Sequence, residues 1–162
     1  MVRAWQRFPG WLLVLLLGGC GFHLQGALTL PAGVRTVAVA AADELSPFAV
    51  ELQRALRSSG ALLAGTAGEA DAVIRVAQDH TGRRVLSVSA SNTPQEYQIY
   101  YAVRFAIDRG GKQVVPPQEI ELTRSYSFDE TALLAKDREE AILREAMARD
   151  LADLVLRRLA SL

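Results

Sequence analysis

Few side chains in this sequence have a type and spacing that suit chemistry. Cys20 is the only cysteine of 162 residues, so no internal disulfide can form, and a thiolate zinc site would need more such ligands. His23 and His80 have no metal-ligating partner at helical or hairpin spacing, and read as turn or surface residues. The carboxylates Glu119 and Glu121, or Glu139 and Glu140, are paired in sequence, as an acid and base would be, but a solvated face explains the pairing equally well. No Gly-x-Ser-x-Gly elbow and no glycine-rich phosphate loop occurs. No catalytic constellation rises above this background.

Cys20 takes its meaning from what precedes it. Arg3 and Arg7 form a short positive region, Trp11 to Leu17 is an unbroken apolar run, and Gly18 and Gly19 follow. This is signal-peptide grammar, and the run is too short for a permanent bilayer span. Leu17-Gly18-Gly19-Cys20 resembles the bacterial lipobox, where cleavage precedes a cysteine carrying diacylglycerol on its sulfur. Residues 1–19 are therefore expected to be a lipoprotein signal peptide, 20–33 a lipidated lead, and 34–162 a single periplasmic domain. The N-acyl diacylglycerol on Cys20 is the only covalent group expected, with no cofactor and no metal. Each buried methylene contributes about 0.8 kcal/mol, so two or three acyl chains anchor stably. Gly21 stands where an aspartate retains lipoproteins at the inner membrane, which favours the periplasmic face of the outer membrane.

The whole sequence carries eighteen basic and eighteen acidic residues; loss of the two leader arginines leaves a mature net charge of −2. A nucleic-acid binder normally carries a cationic excess, so that class is excluded. The mature chain reads as α+β, with two helices packed on a mostly antiparallel, mixed sheet of four to five strands. Val34, Val37 and Val39 mark a first strand. Ser46-Pro47 opens a helix that presents Phe48, Leu52, Ala55 and Leu56 on one side and stops at Gly60. Val73, Ile74 and Val76 suggest a second strand, and Val85, Leu86 and Val88 a third, with a turn at Asp79-His80-Thr81-Gly82 between them. Arg83 and Arg84 would then lie on opposite faces of the third.

Tyr97, Ile99, Tyr101, Val103, Phe105 and Ile107 alternate with polar or small residues, the clearest strand signal in the chain. Asp108-Arg109-Gly110-Gly111-Lys112 is a hairpin turn, and Ile120, Leu122, Tyr126 and Phe128 mark the return strand. Pro116-Pro117 should keep the start of that strand out of central pairing, and Arg124, interrupting its apolar face, needs an acidic partner. A final helix is expected from Asp137, capped with Glu140 three residues on, to Leu159. Its stripe is Leu143, Met147, Leu151, Leu154 and Val155. Glu140/Arg144, Glu145/Arg149 and Asp153/Arg157 are i,i+4 pairs on its wetter side.

Four short segments occur in one order: Cys20-Gly21-Phe22-His23-Leu24, Glu96-Tyr97-Gln98, Arg124-Ser125-Tyr126 and Leu134-Ala135-Lys136-Asp137. Together they resemble the LptE family of lipopolysaccharide-assembly lipoproteins over essentially the whole mature chain. The resemblance implies a non-enzymatic outer-membrane lipoprotein that plugs the large β-barrel LptD, helps it assemble, and binds lipopolysaccharide through basic residues. Lys136 is the basic residue that carries over. A second family contact falls just before Glu96-Tyr97, where this chain has Ala90-Ser91-Asn92 and no arginine; Arg83 or Arg84 are the candidates to replace it. Two other readings fit the anchor: a lipid-anchored auxiliary domain of an ABC-type envelope transporter, or a periplasmic carbohydrate enzyme. The latter requires two carboxylates among Glu96, Glu119, Glu121 and Asp129 to face one cleft.

Overall fold

The computed structural model describes residues 29–128 and 133–162. In chain order the elements are β1 (Thr36–Ala41), α1 (Pro47–Ser58), β2 (Leu62–Leu63), a 3-10 turn (Ala67–Glu69), β3 (Ala72–Val88), β4 (Pro94–Arg109), β5 (Lys112–Ser127) and α2 (Leu133–Ala160). The sheet order is β2-β1-β3-β4-β5. β1 runs parallel to β2 and β3, while β3, β4 and β5 form an antiparallel meander. This is the expected α+β arrangement of two helices on a mixed open sheet.

α1 begins as its sequence dictates. The Ser46 hydroxyl accepts from the Ala49 N–H at 3.1 Å, Pro47 occupies the first turn, and Gly60 at φ +87° ends the run. Phe48, Leu52 and Leu56 are fully buried against the sheet. The alternation in β4 is realised: Ile99, Tyr101, Val103, Phe105 and Ile107 are at most 1% exposed and share one core cluster with both helices. In α2, Met147, Leu151 and Val155 are fully buried with Ala148 and Leu159, whereas Leu143 and Leu154 are half-buried. Both helices cover one face of the sheet. The other face carries cross-strand pairs such as Arg104–Glu119 at 2.7 Å and Arg84–Glu121 at 3.6 Å, which suit water.

Three expectations are corrected. The two short strands proposed around Gly82 are one 17-residue strand, β3. Gly82 is not a turn but the strand position opposite Tyr100, and a Cβ there would lie 2.3 Å from the Tyr100 hydroxyl. Glycine lets that ring lie across the backbone of the neighbouring strand. His80 is likewise a strand residue, set edge-on to Tyr100 with ring centroids 6.0 Å apart. The second correction concerns α2, which starts at Leu133 rather than Asp137, so Lys136 and Asp137 stand inside the helix. Leu134, Ala135 and Lys136 are good helix formers, and Asp137 with Glu140 is therefore no capping box. Third, β1 starts two residues after Val34, which is buried ahead of it.

The turn between β4 and β5 is Gly110-Gly111, with φ of 55° and 75°, the positive pair that a two-residue hairpin requires. Pro116-Pro117 lies where the β4–β5 register shifts, between Gln118 opposite Phe105 and Val115 opposite Ile107. β5 is an edge strand, so missing amide donors there cost little.

Candidate ligand-binding end of the domain

β3, β4 and β5 run well beyond β1, and α2 covers their far half. On the helix-facing side of that half, Arg83 and Arg124, both opposite Ile99, and Tyr126, opposite Tyr97, break the apolar pattern, and Arg83 and Tyr126 turn toward the start of α2. A guanidinium and a phenol pointing under a helix need a partner. Glu140 of α2 supplies it. One carboxylate oxygen accepts from Arg83 Nη1 at 3.1 Å and from the Tyr126 hydroxyl at 2.8 Å. The other accepts from Arg144 Nε at 3.0 Å and Nη2 at 2.5 Å, and Arg144 donates further to the Thr81 hydroxyl at 3.0 Å.

The carboxylate's side chain is 14% exposed. Burial opposes its charge, but hydrogen bonds from Arg144 and Tyr126 outweigh that and hold it below the ordinary carboxyl value. Contact with Tyr126 and Glu140 pushes the Arg83 guanidinium up, so its charge is permanent. Burial, with Glu140 next, pushes the Tyr126 phenol up. The Arg83 guanidinium also lies 5.0 Å from the Tyr97 ring centroid, and Tyr97 stacks on Tyr126 at 5.8 Å and meets Phe128 edge-on at 5.1 Å. Nearer the core, the Tyr101 hydroxyl accepts from the Phe48 N–H at 3.2 Å, and burial, then nearby Asp79, drives its phenol far above the usual value.

The basic candidates now have positions. Lys136 stands one turn before Glu140 on α2, paired with Glu139 at 2.8 Å and 18% exposed; it is a half-buried helix residue, not a free lysine ahead of a helix. Arg83 faces the same side through Glu140. Arg84 points to the helix-free face, bonded to Gln98 at 2.7 Å and lying 5.6 Å from the Tyr100 ring centroid, so β3 separates the two arginines as strand geometry requires. Ala90-Ser91-Asn92 forms the tip between β3 and β4, with Asn92 at φ 63° and Ser89 and Ser91 joined through their hydroxyls. Cys20 and His23 lie outside the described residues, as does Asp129.

Arg124 found an acid: Asp150 of α2 at 3.0 Å, with both side chains half-exposed. Glu119 and Glu121 are tied to arginines on the open sheet face, and Glu96 accepts from the Ser87 hydroxyl at 2.9 Å on that face. These carboxylates do not face one another across a cleft, which is what sugar hydrolysis requires. Among the described residues no group of three or more His, Cys, Asp or Glu side chains could hold a metal ion.

Glu140 is the residue that the linear pattern undervalued. Its i,i+4 relation to Arg144 placed it on the wet side of α2, yet it is the hub between α2, β3 and β5. The available signal was Arg83: it shares the parity of Val85 and so had to meet a carboxylate from elsewhere.

Residues 34–159 match the family described as LptE: Lipopolysaccharide-assembly. The LPS-assembly lipoprotein LptE of Pectobacterium atrosepticum is 28% identical over 152 residues, covering 93% of this chain and 82% of that protein. The protein of the same name from Yersinia pestis is 24% identical, covering 91% and 72%. Among solved structures, the rare lipoprotein B from Shewanella oneidensis superposes with a TM-score of 0.70 at 29% identity, over 78% of this chain and 95% of that one. A lipoprotein B from Nitrosomonas europaea gives 0.74 at 28% identity, over 87% and 91%. The family match spans the sheet, both helices and the Glu140 hub, and the chain belongs to the LptE family of lipopolysaccharide-assembly lipoproteins.

Proposed function

We propose that the chain is a non-enzymatic lipoprotein, anchored through acylated Cys20 to the periplasmic face of the outer membrane, that seats as a plug in the β-barrel LptD, assists its assembly and binds lipopolysaccharide in transit. Residues 1–19 are its signal, 20–33 its lead and 34–162 its working domain. No described helix is long and apolar enough to cross a membrane. A plug for a water-lined barrel needs a self-sufficient core and a polar exterior, and the single cluster under two helices with a salt-bridged open face meets both needs.

The observation that carries the ligand reading is the gathering of Lys136 and Arg83 on one side of the domain's far end, held by Glu139 and Glu140. Glycolipid phosphates would compete with those carboxylates for the cations through charge-assisted hydrogen bonds. Lys136→Asp should therefore weaken lipopolysaccharide binding by the purified protein while leaving its melting temperature within a few degrees, because an i,i+3 pair contributes well under about 1 kcal/mol. Arg84→Asp, on the opposite face, should leave binding unchanged. Equal effects of the two would refute the assignment. For the partner, a mild-detergent pull-down from native membranes should bring a large β-barrel with the chain; copurification with an ABC-type transporter instead would overturn the plug reading.

A further inference from the structure

Beyond Val76, where pairing with β1 ends, the sheet is a three-stranded meander with two open edges, and the two are built differently. β3, on one side, has register shifts between Val76 and Gln78, between Val85 and Ser87 and between Ser87 and Val88, which blunt it for further pairing. β5, on the other, carries Pro116-Pro117 near the turn and no such device beyond: Gln118 to Ser127 run opposite Phe105 to Glu96 without a shift. One step past the Glu96–Ser127 pair, the Phe128 amide donates to the Gln95 carbonyl at 2.7 Å. Alternate residues from there, Tyr126, Arg124, Leu122, Ile120 and Gln118, therefore bond toward β4. The Tyr100 carbonyl fits this phase, since it faces β3 and accepts from the Thr81 hydroxyl at 2.9 Å. Glu119, Glu121, Thr123, Ser125 and Ser127 are left with their amides and carbonyls turned outward. Among the described residues, no other segment's backbone bonds to that side.

We propose that this outer edge of β5 takes up an extended segment of the β-barrel partner's chain as an added strand, and that the segment alternates apolar residues with cationic ones. The inference rests on the plug reading above and names the surface used. Wall strands of a closed barrel are already paired on both sides, so the segment is a loop or an inward-reaching stretch of the barrel chain. Side chains on both faces of the edge define what fits. On the helix side Ile120 and Leu122 are half-buried. Leu143 and Leu154 of α2, also half-buried, stand seven residues before and four after Asp150, which holds Arg124 of β5, so they look toward the same edge. Apolar residues of an added strand would cover all four. On the open face Glu119 and Glu121 are 41% and 43% exposed, each with an arginine, Arg104 or Arg84, on its inner side. Sign alternates across these rows, and a cation on the next strand continues it. A second copy of β5 would bring Glu119, Glu121, Thr123, Ser125 and Ser127 to that face, with no cation among them. Residues 20–28 of this chain contain no lysine or arginine either. The charge therefore selects a different chain.

Proline tests the backbone directly, because at an outward position it removes a donor that the fold does not use. Thr123→Pro and Ser125→Pro are made in the full-length chain, tagged at its C-terminus, and the barrel is recovered with it from native membranes in mild detergent. Each should lower barrel recovery at least about tenfold while melting as the parent does. Val85→Pro, at the matching outward position on β3 opposite Tyr97, should recover the barrel as the parent does. Hydrogen exchange read residue by residue in the parent gives a second measure that needs no variant. The amides of Ile120, Leu122 and Arg124 should be slow with and without the barrel, and those of Glu121, Thr123 and Ser125 slow only with it. Undiminished recovery by both β5 variants, equal losses on the two edges, or fast exchange at Glu121, Thr123 and Ser125 in the complex overturns this proposal and leaves the plug reading standing. A parent that brings no barrel overturns both. Slow exchange at those three amides in the isolated chain also overturns it, since the edge would then be filled by the chain's own lead in a monomer or by a second copy in a dimer, which sedimentation tells apart.

Discussion

If Glu140 is the hub that docks the start of α2 on the far half of the sheet, Glu140→Gln should cost far more than an ordinary surface charge. The substitution is isosteric, so no cavity forms. The carboxylate accepts four hydrogen bonds, two on each oxygen. An amide keeps one acceptor and turns an NH2 group toward two donors. If the amide faces Arg83 and Tyr126, the phenol can rotate and accept, but the guanidinium cannot. If it faces Arg144, both the Nε and Nη2 contacts are lost. Charge-assisted hydrogen bonds contribute roughly 1.5–3 kcal/mol when buried. The Arg83 and Arg144 side chains are 48% and 28% exposed, so water recovers part of that. A net loss of about 2 kcal/mol results, which for a domain of this size lowers Tm by roughly 6–10 °C. The control is Arg124→Gln, which removes a pair half-exposed on both sides and should cost under about 1 kcal/mol. Urea unfolding gives both values, and a double-mutant cycle of Glu140→Gln with Arg144→Gln should return a coupling above about 1 kcal/mol. A Glu140→Gln cost no larger than that of Arg124→Gln, or additive behaviour in the cycle, would refute the hub.

The same carboxylate sets a pH dependence. Its native pKa is depressed below the ordinary 4.5, so its contribution is present above that value and disappears as pH falls through the native pKa. The stability gap between the parent and Glu140→Gln should be flat from pH 7 to about 5 and close below about 4, which chemical denaturation across pH checks. Gly82→Ala should destabilise by about 1 kcal/mol, because its Cβ collides with the Tyr100 ring. In a Tyr100→Ala background the same change should stabilise by about 0.5 kcal/mol, since a strand alanine then replaces glycine without conflict; no reversal of sign would show that the ring does not depend on Gly82. Leu151→Ala, at a fully buried α2 position, should cost about 2–5 kcal/mol by the same measurement. With an exchanged, cleavable signal in place of residues 1–19, the Cys20→Ser chain should still yield a soluble folded domain, since the core is built from Val34 onward; insolubility of that protein purified alone would contradict this.

What could be read in the sequence follows from how local the cause was. Ser46, Pro47 and Gly60 bound α1 with interactions that span four residues, and Gly110-Gly111 closes a hairpin within two. The β4 alternation is long enough to declare a buried face unaided. Gly82 misled because the reason for it stands on another strand: without Tyr100, Asp79-His80-Thr81-Gly82 has the composition of a turn. Asp137 misled because an acid followed by Glu140 has the form of a capping box even where its role is surface charge. β2, only Leu62–Leu63, is too short for any periodicity. The basic candidates were visible as residue types, and strand parity separated Arg83 from Arg84. Which acid each arginine meets was not visible, because Glu140 and Asp150 lie 57 and 26 residues away from Arg83 and Arg124.

The structure has two ends with different physical characters, and the division bears on how a tethered assembly protein can work. At one end the Asp71 carboxylate accepts from the Arg35 and Thr36 amides at 2.9 Å each, and Arg109 holds the Ala32 carbonyl, so the incoming chain is fastened to the sheet before β1 begins. Those amide bonds depress the Asp71 pKa, so the fastening persists at neutral pH and any pull on the lead is taken by the sheet rather than by a fraying terminus. At the other end, roughly 50 Å along β3, order depends on side chains that meet across elements: Arg83, Tyr126 and Arg144 around Glu140, with Lys136 one turn further out. A ligand that draws Lys136 or Arg83 away from its carboxylate therefore loosens the docking of α2 locally and leaves the fastened end untouched, because Met147, Leu151 and Val155 keep the rest of the helix in the core. Amide exchange resolves the two halves: addition of lipopolysaccharide should speed exchange in the first two turns of α2 and leave β1 and the second half of α2 unchanged. Uniform protection along α2 would mean that the ligand is held without disturbing the Glu140 hub.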